Sequence, residues 1–253
     1  MGGMAEAVLR GLAAMEAVGA GDRTVSDVAR RLLVDKSTAS RLLASLVREG
    51  WLHREGAEFD LGPRSAVLGV GGPEQRFVGH ARAVAHAVAG VTGRHVTVMQ
   101  HAGTRDFLVA EAAGEEALFS APNVLEEFPL WATGAGRCLA AQLRDEELDA
   151  LLPPEPFPAL TLRTQTTRAA FDHAVAAVRA GDVMVERGEF DAGHGCVALP
   201  WPGPEPLPIG AIACVSRLET LDADVDLLER VLRAAVLPGA TRESIVAAAA
   251  YGG

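Results

Sequence analysis

The segment from Val25 to Leu52 constrains this chain more than any other. Val25, Val28, Ala29 and Leu32 fall on one face of a helix from Ser26 to Leu32, with Thr24 or Ser26 placed to cap its start. A second helical pattern runs from about Lys36 to Glu49, with Leu42, Leu43, Leu46 and Val47 on its apolar side, Asp35 as N-cap and Gly50 at its end. Ala29 is small where the first helix must approach the second, and Val34 plugs the turn between them. Upstream, Val8, Leu12, Met15 and Val18 line one face of a further helix that ends at Gly19. Downstream, two short runs, Trp51 to Arg54 and Glu58 to Leu61, bracket Gly56 as a hairpin. Three helices and a hairpin in so short a stretch make a winged helix-turn-helix.

The second helix of that pair carries the chemistry. Its first turn presents Lys36, Ser37, Thr38, Ser40 and Arg41, short hydroxyls and long cations that suit phosphates and base edges in a major groove. Its N-terminus adds a dipole that favours phosphate, and Arg54 on the hairpin is a candidate wing contact. A capped helix start on a solvated face would show some of the same residues. The surrounding pattern of helix pair, cationic turn and hairpin favours double-stranded DNA as the partner. The formal net charge of -10 argues the other way at first sight, because DNA affinity rests largely on neutralising phosphates. Met1 to Val70, however, carries nine basic and nine acidic side chains, so the acidic excess lies entirely in Gly71 to Gly253. Lys36 is the only lysine.

With 253 residues there is room for two ordinary domains. Val67 to Pro73, with three glycines and a proline, reads as a hinge, so residues 1–70 form the winged-helix domain with the start of a linker, and residues 71–253 a second domain. There, helical patterns at Glu74 to Val91, Leu130 to Leu143, Thr167 to Ala180 and Asp222 to Ala250 mix with strand-like runs at Arg94 to Gln100, Asp106 to Ala112, Cys196 to Leu199 and Ile209 to Val215. This order implies an α+β domain with an antiparallel sheet. Pro153 to Pro158 and Pro200 to Pro208 read as surface loops.

No run is apolar and long enough to span a bilayer and no signal peptide is apparent, so a soluble cytoplasmic protein without a membrane partner is expected. Cys138, Cys196 and Cys214 are too few and scattered for disulfides or a metal knuckle, and neither metal nor cofactor is expected. Cys196 with His194 two residues away is a candidate nucleophile and base, but no oxyanion motif accompanies them. His80 and His86 are not spaced as a metal pair, and no phosphate-binding or nucleophile-elbow motif is present. An enzyme is therefore not expected. The alternatives are a winged-helix module for protein contacts with a degenerate sensor and, behind it, a thiol-dependent enzyme.

The stretches Lys36 to Gly50 and Phe59 to Pro63 resemble the IclR family of bacterial regulators, as do Pro129 to Ala141 and Gly188 to Pro200. The resemblance covers nearly the whole chain. It implies a winged helix, a linker helix and a GAF-like effector-binding domain, in a protein that acts as a dimer or tetramer. It further implies a transcriptional regulator, a repressor by expectation, whose operator binding responds to a small organic effector. By the same resemblance, Gly134 and Ala135 offer backbone N–H groups to the effector, Glu186 occupies a polar carboxylate position, Cys196 lies on a strand beneath, and Ala213 and Val215 form a later wall. Met99 and Trp131 either line this pocket or fill the core. A one-residue slip of register would turn Cys214 and Ser216 inward in place of Ala213 and Val215. With Ala213 and Val215 inward, the wall is apolar and suits an aromatic or moderately apolar molecule. Leu33 stands where the family usually has a turn glycine, so either a strained left-handed leucine or a different turn is expected.

Overall fold

The computed structural model describes residues 2–68, 73–103, 105–114, 128–202 and 209–250. The chain divides into two compact units, Met1–Gln75 and Arg76–Gly253. Residues 69–72 of the hinge expected between Val67 and Pro73 lie outside the described residues.

In the first unit, α1 (Gly2–Gly19), α2 (Val25–Arg31) and α3 (Lys36–Arg48) precede the antiparallel hairpin of β1 (Leu52–Glu55) and β2 (Glu58–Leu61). A short helix, α4 (Pro63–Val67), follows. Thr24 caps α2 by accepting from the Asp27 N–H, and Asp35 caps α3 by accepting from the Thr38 N–H at 2.9 Å. The faces read for α2 and α3 turn inward to one core of Ala14, Ala17, Val18, Val28, Leu43, Leu52 and Phe59, but on α1 the expected face is only half right: Met15 and Val18 pack inward while Val8 and Leu12 are exposed and Ala14 and Ala17 take the buried positions. Leu33 does adopt the left-handed conformation, with φ of 53°. The Val34 N–H donates to the Ala29 carbonyl at 3.0 Å and the Leu33 N–H to that of Arg30 at 3.3 Å, the paired bonds of a Schellman helix ending. The turn thus keeps its usual geometry and places leucine where glycine would sit without strain.

In the second unit, α5 (Pro73–Thr92) leads into β3 (His95–Ala102) and β4 (Arg105–Ala112). Then come α6 (Gly134–Ala140), α7 (Asp145–Leu151), α8 (Arg168–Arg179), β5 (Met184–Arg187), β6 (His194–Pro202), β7 (Ile209–Arg217), α9 (Leu218–Ala235) and α10 (Arg242–Ala250). The five strands pair antiparallel in the order β4-β3-β7-β6-β5. Strand alternation separates two cores. Val96, Val98, Val197, Ile212 and Cys214 face one way, into a core completed by α5, α9 and α10. Met99, Cys196, Ala198, Ala211 and Ala213 face the other way, beneath α6 and α8. Two elements were not anticipated, α7 and the four-residue β5. Pro200 to Pro202, expected in a loop, continue β6.

Candidate DNA-reading face and effector cavity

The DNA-reading face is built by the Asp35 cap. Its carboxylate accepts from the Ser37 hydroxyl at 2.5 Å, the Thr38 hydroxyl at 2.7 Å and the Thr38 N–H, and the two hydroxyls hold the Asp35 carboxyl well below the usual carboxylate range. Thr38 is thereby half-buried, while Lys36, Ser37, Ser40 and Arg41 are exposed and Ala39 and Leu43 on the opposite side are fully buried. Arg41 is steadied from its own helix, its Nε donating to the Ser37 carbonyl at 3.3 Å. The other cations nearby are differently placed. Arg30 pairs with Asp27 at 2.5 Å, Arg31 with Asp22 and Arg48 with Glu49 at 3.4 Å. Lys36 and Arg41 have no acidic partner among the described residues. Arg54 is exposed on the hairpin, where its Nε donates to the Gly56 carbonyl at 2.9 Å and its guanidinium lies 5.5 Å from the Phe59 ring centre.

In the second unit, a cavity of about 380 Å³ lies between the sheet and the start of α6. Its floor is a set of cross-strand rows. Glu186, Cys196, Val215 and His95 stand side by side on four successive strands, and Ala213 and Thr97 form part of the next row. Leu108 joins them because β4 carries an extra residue, Val109, between the positions facing Val98 and Met99. This bulge turns Leu108 to the cavity face although Ala110 and Ala112 face the other core. Gly134 and Ala135 form the opposite wall. A Cβ on Gly134 would come within 2.5 Å of the Cys196 sulfur, so glycine is what allows the helix to approach the sheet this closely.

Seven of the eight residues expected in the pocket therefore line this cavity, namely Met99, Gly134, Ala135, Glu186, Cys196, Ala213 and Val215. The register that turns Ala213 and Val215 inward is the one present, and Cys214 belongs to the other core. Trp131 is the exception. Its indole N–H donates to the Pro158 carbonyl at 3.0 Å and its ring packs near Phe157, outside the cavity lining. Sequence reasoning also passed over Leu108, Phe128, Phe190 and Asp191, which line the cavity together with His194, weighed above only as a base for Cys196.

It passed over a buried ion pair as well. Arg137, 1 % exposed on α6, makes two bonds to the Glu189 carboxylate, one of 2.9 Å, and two to the Trp131 carbonyl at 2.8 and 3.1 Å. Both partners sit inside the stretches quoted for the resemblance, but 52 residues of separation hide their contact. The Glu189 and Phe190 N–H groups in turn donate to Glu186 Oε1, the latter at 3.3 Å. Burial pushes the Glu186 carboxyl up to about 7, while those N–H bonds pull it down. Burial also raises the Cys196 thiol well above its ordinary value, and His194 turns its Nδ1 to Asp191 Oδ1 at 2.7 Å. A neutral buried thiol is a poor nucleophile, so the pairing of Cys196 with His194 gains no support as a catalytic dyad.

A winged helix with an exposed cationic reading helix, in one chain with a unit that encloses a small-molecule cavity, defines a DNA-binding transcriptional regulator. The family model of the IclR helix-turn-helix domain matches residues 7–56, and that of the bacterial transcriptional regulator IclR C-terminal domain matches residues 75–237. The chain belongs to the IclR family. It is similar to the HTH-type transcriptional regulator XynR of Escherichia coli (strain K12), at 25 % identity over 209 residues and 80 % of each chain. Among solved structures it is similar to an IclR homolog from Microbacterium hydrocarbonoxydans complexed with 4-hydroxybenzoate. That match has a TM-score of 0.76 and 21 % identity, and covers 96 % of this chain and 99 % of the other. A putative transcriptional regulator from Rhodococcus sp. RHA1 is 28 % identical with a TM-score of 0.66, covering 97 % and 98 %. No helix of the described residues is long and apolar enough to cross a membrane.

Proposed function

We propose that this chain is an effector-controlled repressor that acts in the cytoplasm without catalysing a reaction. Residues 1–70 bind double-stranded operator DNA and residues 71–253 bind a small organic molecule that alters that binding. One observation carries the DNA assignment: on the helix pair, Lys36 and Arg41 alone combine exposure with freedom from acidic partners. Lys36, Ser37, Thr38, Ser40 and Arg41 then contact the major groove, and Arg54 reaches phosphate from the wing. A homodimer, or a tetramer of two such dimers, is favoured by α1, where Val8, Leu9 and Leu12 are 58, 65 and 47 % exposed and form an apolar stripe. Two reading helices on a palindrome roughly double the binding free energy of one.

The effector assignment rests on the cavity. Met99, Ala213 and Val215 supply apolar surface, Gly134 and Ala135 a backbone wall, and Glu186 and Cys196 the polar end. Trp131 packs against Phe157 outside the lining. An aromatic or moderately apolar molecule suits this lining, and the Microbacterium relative is complexed with an aromatic molecule, 4-hydroxybenzoate. The test of the DNA reading is a gel-shift titration of Arg41→Ala on a native promoter fragment at two salt concentrations. Each lost contact costs about 1 to 3 kcal/mol and counts twice in a dimer. Unchanged affinity, or binding indifferent to salt, rules the reading out.

A further inference from the structure

The hairpin beside the reading helix carries the wrong charge for DNA. Its strands are joined by Gly56 and Ala57 alone, with Gly56 at φ of 59°, so the last cross-strand pair, Glu55 opposite Glu58, stands at the tip. Side chains directly opposite on an antiparallel pair lie about 5 Å apart at their Cβ atoms, and like charges there are mutually unfavourable. Both glutamates are exposed. Alternation places Glu55, Glu58, His53 and Asp60 on one face of the hairpin, and Arg54 on the other with the buried Phe59. Residues 52–61 thus set three carboxylates against a single arginine, which points away from them and is tied to the Gly56 carbonyl. Arg23 reaches Asp60 at 3.0 Å and Glu58 at 3.8 Å, whereas Glu55 has no cationic partner among the described residues.

We propose that the Glu55–Glu58 pair keeps the tip of the wing out of the minor groove and holds down affinity for any duplex, leaving sequence reading to α3. This rests on the DNA reading of the first unit given above. A segment that enters a minor groove does so with cations or apolar wedges, because phosphates wall the groove on both sides. This tip offers two carboxylates, a glycine and an alanine. Arg54, on the opposite face of the hairpin, meets a phosphate at the edge of the duplex without drawing the tip inward. Phosphates carry no sequence information, so the repulsion acts on operator and other DNA alike. Non-specific binding draws almost wholly on charge, and the pair therefore limits how much of the protein is held on sequences it does not read.

The test is a set of gel-shift titrations of the full-length protein and of the double variant Glu55→Gln with Glu58→Gln. Each is run on a native promoter fragment and on a mixed-sequence duplex of equal length. At roughly 10 Å from a phosphate, one charge is worth about twofold in water before screening. Removing four carboxylates from a dimer should then tighten binding to both duplexes about tenfold at roughly 10 mM salt and about threefold at roughly 0.1 M. Glu55→Gln alone, which leaves the Arg23 pairs intact, should give about threefold at the lower salt. It decides the matter should the double variant fail to fold by circular dichroism. In hydroxyl-radical footprints of the unaltered protein on the promoter fragment, the minor groove flanking the α3 contacts should stay open to cleavage. Tightening that is absent or confined to one duplex, or protection of that flanking groove, overturns the proposal and leaves the DNA reading standing. An unaltered protein that does not prefer the promoter fragment to the mixed duplex overturns both.

Discussion

Leu33 offers the sharpest test of the turn between α2 and α3. Its φ of 53° puts a Cβ where the left-handed conformation brings it against the following carbonyl, at about 1 to 2 kcal/mol for an L-residue. Nothing repays this through burial, because the side chain is 93 % exposed. Leu33→Gly removes the strain but adds backbone freedom to the unfolded chain, which costs about 0.5 to 1 kcal/mol. The net gain should be about 0.5 to 1 kcal/mol, located in the helix pair. Because the chain has two units, a single melting curve would blur so local an effect. Hydrogen exchange read by mass spectrometry on peptides from α2 and α3 resolves it, and the gain should appear as exchange slowed roughly two- to fivefold. Leu33→Ala is the control, since alanine loses the exposed leucine yet keeps the Cβ. If Leu33→Ala slows exchange as much as Leu33→Gly does, the strain argument is refuted and the benefit comes from removing an exposed apolar side chain.

Arg137→Met leaves Glu189 buried without its cation and should cost about 3 to 5 kcal/mol, whereas Arg137→Met with Glu189→Met should recover most of it; a single-variant loss under about 1 kcal/mol in urea unfolding contradicts the pairing described. Gly134→Ala sets a methyl within 2.5 Å of the Cys196 sulfur and 3.4 Å of the Glu186 Cβ, so affinity for a cavity probe should fall about tenfold and return on adding Cys196→Ala; undiminished binding by Gly134→Ala itself tells against the placement of α6. Glu186 keeps its proton in the folded chain up to about pH 7, while an unfolded glutamate releases it near 4.5. Its contribution to stability is therefore full below about 4.5 and is lost as pH rises through 7, and Glu186→Gln should flatten the fall of the urea midpoint across that window; parallel pH profiles for the two proteins exclude this.

The winged helix was legible because its signals are local. Thr24, Asp35 and Gly50 mark helix ends within a few residues of the apolar positions they serve, and the helical period selects Val28 and Leu43 of the first unit's core, though on α1 it selects Val8 and Leu12, which are exposed, over Ala14 and Ala17, which are buried. The cavity was legible in part. Alternation along β7 predicted that Ala213 and Val215 share a face, and pairing with β3 and β6 decides which face. What escaped depends on contacts between distant residues or on breaks in periodicity. The extra residue at Val109 shifts Leu108 out of the phase of its own strand, and no composition signal announces it. Arg137 and Glu189 look like surface charges until the fold brings them together. Trp131 leaves the cavity because its indole N–H finds the Pro158 carbonyl, in a loop that the sequence marks only as rich in proline.

The alternation along β3, β5, β6 and β7 has an evolutionary corollary. Positions 95, 97, 186, 196, 213 and 215 belong to the cavity, while their immediate neighbours 96, 98, 185, 197, 212 and 214 belong to the other core or pack against it. Point substitutions in the first set can exchange one effector for another without disturbing the packing of α5 and α9, so ligand specificity can drift on a scaffold that stays constant. Insertions or deletions of a single residue inside β6 or β7 enjoy no such freedom. Each would exchange the two sets at a stroke, placing the Cys214 side chain in the cavity and Ala213 in the core, and lineages should therefore diverge at these strands by replacement and not by change of length.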